Sequence, residues 1–304
     1  MPIEYLDRAT GKQKVEDVYF GKAIEFVYGD SLISKIFGKA ALHLLVKWSF
    51  FAWWFGICQS LPSSRKKIQP FIDKFKVDSY EFFEPVSHFK SFNEFFYRKL
   101  KASSRPIAVG KNVAVMPTDG RYLFYPNITM ADGFVVKGKK FDLRHLLKNT
   151  ALAKKYDHGS MVMVRLCPTD YHRFHFPCDG IPSKSHLING WLYSVNPVSL
   201  KKSVKRFTQN KRVITEISSE LFGKVLMIEI GATCVGSIHQ TFTPGTFYEK
   251  GEEKGYFSFG ASAIIMLFEP DAIHFDEDLI ESSKHHIEVR CLLGQSLGRA
   301  GPRI

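Results

Sequence analysis

Residues 254–268 read KGYFSFGASAIIMLF, and the fold prediction starts from this stretch. Two apolar, strand-like runs, 254–259 and 264–268, flank four small residues at 260–263. Small residues between strands indicate a sharp turn or a close approach of the backbone to another group. One hydroxyl, that of Ser262, lies in the middle. These residues alone favour an ordinary strand with a glycine bulge, so a special role for Ser262 depends on the rest of the chain.

The chain of 304 residues carries a formal net charge of +12, and its basic residues cluster in 65–111 and 201–212. Its composition is that of a globular protein long enough for one or two domains. Such charge suits nucleic acid or an anionic membrane surface. No recognisable nucleic-acid-binding motif accompanies it, so the sequence predicts a membrane partner and no nucleic acid.

The cysteine content and the N-terminus predict an intracellular protein. The five cysteines have scattered spacings and form no CxxC pair: Cys58, Cys167, Cys178, Cys234 and Cys291. They are interpreted as reduced, mostly buried thiols. The first 20 residues are charged and lack the apolar core of a signal peptide, so no cleaved signal is expected.

Residues 1–105 are predicted to form a helical, membrane-interacting region. Apolar residues recur at helical spacing over 31–58, but lysines interrupt the run too often for it to span a bilayer. Tryptophans beside the lysines, including Trp53 and Trp54, suit the membrane–water interface, although a helix pair packed in the core fits this pattern equally well. A second helix is expected over 68–75. Ser91 and Glu94 form a capping-box signature.

Residues 106–304 are predicted to form a β-rich catalytic domain. Short β-prone runs alternate with Gly, Pro and Asn-Asp turns, and one helix is expected near 142–155. The predicted fold class is therefore α+β. A membrane-associating helical part precedes a β-rich sandwich or barrel with lipoyl-like hairpins.

Four further stretches contain residue types suited to chemistry. They read MPTDGR at 116–121, DYHRFHFPCDG at 170–180, EIGATCVGSI at 229–238 and PGTFYEKGEEKGY at 244–256. Asp119 lies in an Asp-Gly turn, where an aspartate is usually only a turn former. His172 and His175 would face opposite sides of a strand, and no third ligand stands close by in sequence. A metal site is therefore not favoured.

Taken in this order, the stretches resemble the phosphatidylserine decarboxylases of the prokaryotic type, a family of self-processing, pyruvoyl-dependent enzymes. The resemblance covers about residues 85–298, including SFNEFF at 91–96 and GQSLG at 294–298. Each motif is weak alone. The match becomes specific because four motifs occur together in the order found in the family: DGR, DYHRFHFP, GATxVGSI and KGYFSFG.

The resemblance implies roles for individual side chains. Asp119 matches the family's charge-relay aspartate, His175 its relay histidine and Ser262 its cleavage-site serine, an arrangement recognised by role rather than by chain order. His172 is predicted to transfer a proton during decarboxylation, because it neighbours the relay histidine and an ordinary imidazole titrates near neutral pH.

The resemblance also implies a cofactor made from the chain itself. Cleavage between Ala261 and Ser262 would yield a β chain, 1–261, and an α chain, 262–304, which form a heterodimer. Ser262 would become a covalent pyruvoyl group that binds the substrate amine as a Schiff base, without a metal. The implied reaction converts phosphatidylserine in an anionic membrane to phosphatidylethanolamine and carbon dioxide. The expected location is peripheral, on the cytoplasmic face of a bacterial-type cell membrane.

The cleavage site departs from the family pattern, which usually reads Leu-Gly-Ser-Thr or Gly-Gly-Ser-Thr. Ala261 has a Cβ where glycine is usual, which penalises positive φ angles. Ala263 lacks a hydroxyl that could have bonded the oxyanion or a nearby backbone group. We expect processing to occur, and a homologue that does not process is the alternative.

Two other interpretations remain open at this point. The stretch 244–256 resembles the turn of a lipoyl- or biotinyl-type barrel, so the β-rich part could be a carrier or lipid-binding module without decarboxylase activity. Lys250 or Lys254 would then be the modified lysine. The other interpretation keeps the enzyme class but makes the substrate a different amino-acid lipid.

Overall fold

A computed structural model of the protein describes residues 3–16, 49–131, 142–195, 208–232, 237–260, 262–285 and 287–302. The predicted helix over 31–58 is described only from residue 49 onward, and the β-prone run at 133–136 lies outside the described residues. Ala261 also lies outside them.

The described strands run through the whole chain. They are β1 (Glu4–Asp7), β2 (Lys12–Val15), β3 (Val113–Val115), β4 (Gly120–Tyr125), β5 (Ser160–Leu166), β6 (Arg173–His175), β7 (Ile181–Pro182), β8 (His186–Ile188), β9 (Arg212–Ser219), β10 (Gly223–Gly231), β11 (Ile238–Gln240), β12 (Glu253–Phe257), β13 (Ser262–Phe268), β14 (Ile273–Phe275), β15 (Glu288–Cys291) and β16 (Ser296–Ala300). The α-helices are α1 (Ser49–Ser60), α2 (Ile68–Phe75), α3 (Phe92–Phe96), α4 (Leu143–Leu147), α5 (Thr150–Lys155) and α6 (Glu277–Lys284).

The described strands form one large sheet and two small ones. The large sheet has the order β2-β1-β15-β4-β5-β13-β10-β9-β7, and β8 also pairs with β9. Only β1 and β15 pair in parallel, and the other neighbours are antiparallel. The small sheets have the orders β11-β12-β6 and β14-β16-β3. Within the described residues, no sheet closes into a barrel.

Strand β13 lies near the middle of the large sheet and is buried along its whole length. Because side chains alternate along a strand, its residues divide between two apolar clusters. Ile264, Met266 and Phe268 join one cluster, and Ala263, Ile265 and Leu267 join the other. A strand buried on both faces explains why the sequence from residue 263 to 268 is a continuous apolar run.

The first cluster fills the space between the large sheet and the small sheets. Members from the small sheets include Phe174 of β6 and Phe257 of β12. The second cluster lies on the opposite face of the large sheet, where α4 contributes Leu146 and Leu147. One face of the large sheet is thus covered by the small sheets and by α6, whose Leu279 belongs to the first cluster, and the other face is covered by α4.

The helical part has its own core, built largely from phenylalanine. Its buried members are Ile68, Phe71, Ile72, Phe82, Phe89, Phe92, Phe95, Phe96 and Phe259. Phe259 comes from the β-rich part, just before β13, so the helical part docks beside the start of that strand. Among the described residues, no helix combines the length and the apolar character needed to cross a bilayer.

The structure confirms the mixed α and β prediction and refines its details. The predicted helix over 68–75 is α2, and the Ser91 hydroxyl accepts a hydrogen bond from the Glu94 amide of α3 at 3.2 Å. The Glu94 carboxylate accepts from the Lys90 amide rather than the Ser91 amide, so Ser91 caps the helix in a variant of the predicted capping box. The helix predicted near 142–155 is two short helices, α4 and α5, because Asn149 caps a new helix start. The N-terminal hairpin β1–β2 joins the large sheet through β15. The predicted domain boundary near residue 105 stays a prediction.

A buried ion pair connects the small sheet of β12 to the large sheet. The Lys254 Nζ lies 2.8 Å from the Glu229 carboxylate, and neither side chain is exposed to solvent. Gln240 hydrogen-bonds both partners, at 2.7 and 3.0 Å. The rings of Phe174 and Phe242 lie 5.5 and 5.0 Å from the ammonium group. Burial raises the pKa of Glu229 even though Lys254 opposes the shift, which shows how costly an unpaired charge would be here.

We expect Lys254→Met to lower the free energy of unfolding by about 3–5 kcal/mol, because it leaves the Glu229 charge buried without a partner. The double variant Lys254→Met, Glu229→Gln should recover more than half of that loss. Urea unfolding checks this, with all proteins compared as one covalent chain in a Ser262→Ala background. Equal losses in the single and double variants would contradict the buried-charge explanation.

Candidate active site

The candidate residues meet at one end of the large sheet. Ser262 is the first residue of β13 and lies opposite Leu166 of β5 and Gly231 of β10. Because these strands are antiparallel, that end also contains the loop 167–172 after β5. Asp119 immediately precedes β4, the other neighbour of β5, at the same end. The fold therefore brings together motifs that are far apart in sequence.

The Ser262 hydroxyl is buried and unpaired. Its side chain is fully buried, and among the described residues its Oγ makes no hydrogen bond. A buried polar group left without a partner costs about 1–3 kcal/mol, and such groups in native proteins call for a specific explanation, catalysis among them. The geometry of Ser262 is that of a group kept available for reaction.

The residues beside Ser262 have different surroundings. Ala263 packs into the apolar cluster on the opposite face of β13. The side chain at position 263 therefore lies on the face of β13 opposite to the Ser262 hydroxyl, and the expected effect of the missing hydroxyl stays a prediction. Gly260 has a φ angle of 139°, which residues with a Cβ rarely adopt. This glycine allows the chain to turn into β13.

His172 is a neutral histidine with one free nitrogen. Its ring is fully buried, and its Nε2 lies 3.0 Å from the carbonyl oxygen of Cys167. A carbonyl oxygen only accepts, so Nε2 carries the proton and Nδ1 has the lone pair. Among the described residues, this Nδ1 has no hydrogen-bond partner. Burial lowers the pKa of His172 to about 3, so the expectation that it titrates near neutrality is wrong.

His172 lies beside the chain segment that leads to Ser262. Its carbonyl oxygen accepts the Phe257 amide at 2.9 Å. The ring of Phe96 in α3 stacks on the imidazole with centroids 3.7 Å apart, and the same ring lies 4.8 Å from that of Phe259. The helical part thus forms a wall of the site.

His175 is also neutral but fully hydrogen-bonded. Its Nδ1 lies 2.9 Å from the Gly251 carbonyl oxygen, and its Nε2 lies 3.2 Å from the Tyr171 hydroxyl. By the same argument Nδ1 donates, so Nε2 accepts from Tyr171. Burial lowers the pKa of His175. Both histidines are therefore neutral at neutral pH. The nitrogen with the lone pair is Nδ1 in His172 and Nε2 in His175, where it accepts from Tyr171.

Asp119 has a partner that the sequence did not indicate. Its carboxylate accepts from Arg105 Nε at 3.0 Å and Nη2 at 2.7 Å, and from the Leu293 amide at 2.8 Å. Arg105 also binds Glu81 of the helical part at 2.9 Å. No hydrogen bond in the described portion of the chain joins Asp119 to His175. The predicted Asp–His–Ser order stays a prediction.

A second buried pair anchors the loop that carries His172. Asp170 accepts from Arg121 Nη1 at 2.7 Å and from the Cys167 amide at 2.8 Å. Burial opposes ionisation of Asp170, but Arg121 more than compensates and its pKa is lowered. Asp170 lies inside the DYHRFHFP motif, yet its role was missed because its partner is 49 positions away in sequence.

The lysines expected of a carrier domain are not displayed at an exposed tip. Lys254 is fully buried in its pair with Glu229. The Lys250 Nζ lies 3.0 Å from the Val113 carbonyl oxygen. These contacts argue against the carrier interpretation. Among the described residues, no group of three or more His, Cys, Asp or Glu side chains could hold a metal ion.

Comparison with known proteins shows the family of this chain. A model of the phosphatidylserine decarboxylase family matches residues 92–299. The chain is 47% identical to the phosphatidylserine decarboxylase proenzyme of Chlamydia pneumoniae, over 98% of this chain and 97% of that protein. It is 43% identical to the protein of the same name from Fusobacterium nucleatum, over 97% of each chain. The chain therefore belongs to the phosphatidylserine decarboxylase family.

Proposed function

We propose that this protein cuts its own chain before Ser262 and then decarboxylates phosphatidylserine to phosphatidylethanolamine. The observation that carries the proposal is the buried, unpaired Ser262 hydroxyl at the start of the central strand, in a chain whose relatives are named proenzymes. His175, a neutral imidazole, is the base that we assign to this hydroxyl.

Self-cleavage begins at the Ser262 hydroxyl. Its Oγ attacks the preceding carbonyl carbon while His175 takes the hydroxyl proton, and the peptide C–N bond breaks as an ester forms. Loss of the Cα proton of Ser262 then expels the ester as the carboxylate of Ala261. The dehydroalanine left at position 262 tautomerises and reacts with water, which releases ammonia and leaves a pyruvoyl group.

The residues present fit a pyruvoyl group at position 262. Ser262 and His172 are both fully buried, and His172 Nδ1, which has no hydrogen-bond partner among the described residues, is the acceptor that we assign to this group. Such a group supplies a ketone for the substrate amine and an electron sink for the pair left when carbon dioxide departs. We assign to His172 the delivery of a proton from water to the carbon that has lost carbon dioxide. Because burial lowers the pKa of this histidine, its protonated ring gives up the proton readily.

Cleavage would leave the two chains locked together as a heterodimer. The fragment 262–304 contains β13, β15 and β16. Strand β13 lies between β5 and β10, and β15 lies between β1 and β4. Separating the fragments would break the pairing on both edges of these strands and disrupt the apolar clusters on both faces of the large sheet. The two fragments therefore stay associated.

The helical part provides the surface that we assign to the membrane. Trp54, Ile57 and Leu61 lie on one side of α1 and its extension and are 50%, 39% and 47% exposed. Exposed basic residues at 65–67 follow directly. An apolar stripe next to basic residues suits an anionic bilayer surface. This supports a peripheral location on the cytoplasmic face of the cell membrane, with phosphatidylserine as the lipid partner.

One finer detail of the fold prediction is also kept as a proposal. Strands β11 and β12 pair in antiparallel fashion around the stretch 241–252. We assign the predicted lipoyl-like hairpin to this pair.

Purified protein should consist of two fragments, 1–261 and 262–304, instead of one 34.7 kDa species. Intact mass should show the smaller fragment lighter by one ammonia than its serine-terminated form, with a carbonyl that borohydride reduces. Vesicles with carboxyl-labelled phosphatidylserine should release labelled carbon dioxide. Ser262→Ala should stay uncut, whereas Ser258→Ala, which removes a hydroxyl four positions away, should be cut normally. An uncut wild-type chain would instead indicate a homologue that does not process.

His175→Ala and Asp119→Asn should accumulate the uncut chain. The first change removes the proposed base, and the second removes a carboxylate charge that favours the protonated form of His175. His172→Ala should be cut but should decarboxylate roughly 10²–10⁴-fold more slowly, the usual contribution of a proton-transfer group. Gel analysis and carbon dioxide release measure the two steps separately. An uncut His172→Ala chain would reassign the cleavage base to His172.

The double variant Ile57→Asp, Leu61→Asp should bind anionic phospholipid vesicles at least roughly tenfold more weakly, because each apolar side chain contributes about 1.5–3 kcal/mol when buried. Vesicle co-sedimentation measures this. The matched control is Val109→Asp, Phe247→Asp, which adds the same charge at two other exposed apolar positions. Equal loss of binding in both double variants would place the membrane contact elsewhere.

A further inference from the structure

The backbone just before the cleavage site is held by a side chain of the helical part. The Phe259 amide donates to the Asn93 Oδ1 at 2.9 Å, a contact between residues 166 positions apart. Asn93 lies in α3. Phe259 is three residues before Ser262, so this hydrogen bond holds the segment that enters the reaction.

The Phe259 side chain is held as well. Its ring lies 5.7 Å from that of Phe55, 5.2 Å from that of Phe92 and 4.8 Å from that of Phe96. Only 4% of Phe259 is exposed. Backbone and side chain are therefore both anchored to the helical part, and Phe259 is a fixed point on one side of the peptide bond to be cut.

The other fixed point is Ser262 itself. Backbone pairing with Leu166 and Gly231 holds it on both edges of β13. Between the two fixed points, Gly260 takes a φ angle that other residues rarely adopt. The peptide bond to be cut therefore lies in the short segment between Phe259, which is held by the helical part, and Ser262, which is held by the large sheet.

Asn93 also connects this segment to α1. Its Nδ2 donates to the Ser60 hydroxyl at 3.0 Å, and Ser60 is the last residue of α1. The two halves of the Asn93 amide therefore have separate partners. The oxygen holds the cleavage segment, and the nitrogen holds the helix whose exposed face we assign to the membrane.

We propose that Asn93 is a positioning residue for self-cleavage, acting through the hydrogen bond from the Phe259 amide to its Oδ1. The proposal rests on the proposed self-processing. Attack by a hydroxyl on a neighbouring peptide requires the reacting atoms to be held in a narrow range of distance and angle. Without the hydrogen bond, the segment before Ser262 is free to shift relative to β13, and fewer molecules reach that geometry.

The test is the rate at which freshly made chain is cut. Asn93→Ala removes both hydrogen bonds and should slow cleavage by about tenfold to a hundredfold, the effect of a displacement of about 1 Å. Asn93→Asp keeps an acceptor for the Phe259 amide and should be cut within about threefold of wild type. Ser60→Ala removes only the partner of Nδ2 and should also be cut at a near wild-type rate.

Two controls separate positioning from simple loss of stability. Asn149→Ala removes a comparable bond, from the Leu152 amide to a side-chain amide oxygen at 3.0 Å, at the start of α5. It should be cut like wild type. Melting temperatures are measured in a Ser262→Ala background, where no chain can be cut. Slow cleavage by Asn93→Ala, with a melting temperature no lower than that of Asn149→Ala, supports positioning.

The outcomes that overturn the proposal are distinct. Cleavage of Asn93→Ala at the wild-type rate would show that the hydrogen bond is not needed. Equal slowing in Asn93→Ala and Asn93→Asp would show that the acceptor is not what matters. Should Asn93→Ala fail to fold, the cleavage rates of Asn93→Asp and Ser60→Ala are compared instead. If Asn93→Asp is cut slowly while Ser60→Ala is cut at the wild-type rate, the proposal is overturned. A wild-type chain that is never cut would instead refute the proposed function.

Discussion

Backbone pairing on both edges of β13 is the constraint on which the site depends. The strand pairs with β5 over its full length and with β10 over all but its last residue, and both of its faces are buried. A serine at the first position of such a strand has little freedom to move. A cut immediately before it also leaves every pair of the sheet intact, so self-cleavage need not open the fold.

Burial then decides the charge state of the groups around that serine. The carboxylates at Asp119 and Asp170 are each paired with an arginine, which offsets the cost of placing a charge in an apolar interior. Neither histidine forms an ion pair among the described residues. Burial outweighs the attraction of Asp170 for His172 and of Glu253 and Asp119 for His175, so both pKa values are lowered. The result is a closed site whose two carboxylates are paired and whose histidines are neutral at neutral pH.

The helical part contributes to the site as well as to the proposed membrane surface. Phe96 stacks on His172, Arg105 binds Asp119, and Asn93 holds the Phe259 amide. All three contacts cross from the helical part to the β-rich part. The sequence suggested two separable regions, with lipid binding in the first and chemistry in the second. Because of these contacts, the helices also form a wall of the reaction site.

Patterns within short stretches of the chain were enough to predict the local elements and to name the candidate reactive residues. The apolar run after Ser262 predicts a strand, and the Ser91 cap predicts the start of a helix, because such patterns depend on neighbouring residues alone. The pairing of Arg105 with the Asp119 carboxylate and the lowered pKa of His172 emerge only in the folded chain. Partners and burial depend on which distant segments pack together, and neither depends on residues close by in the chain.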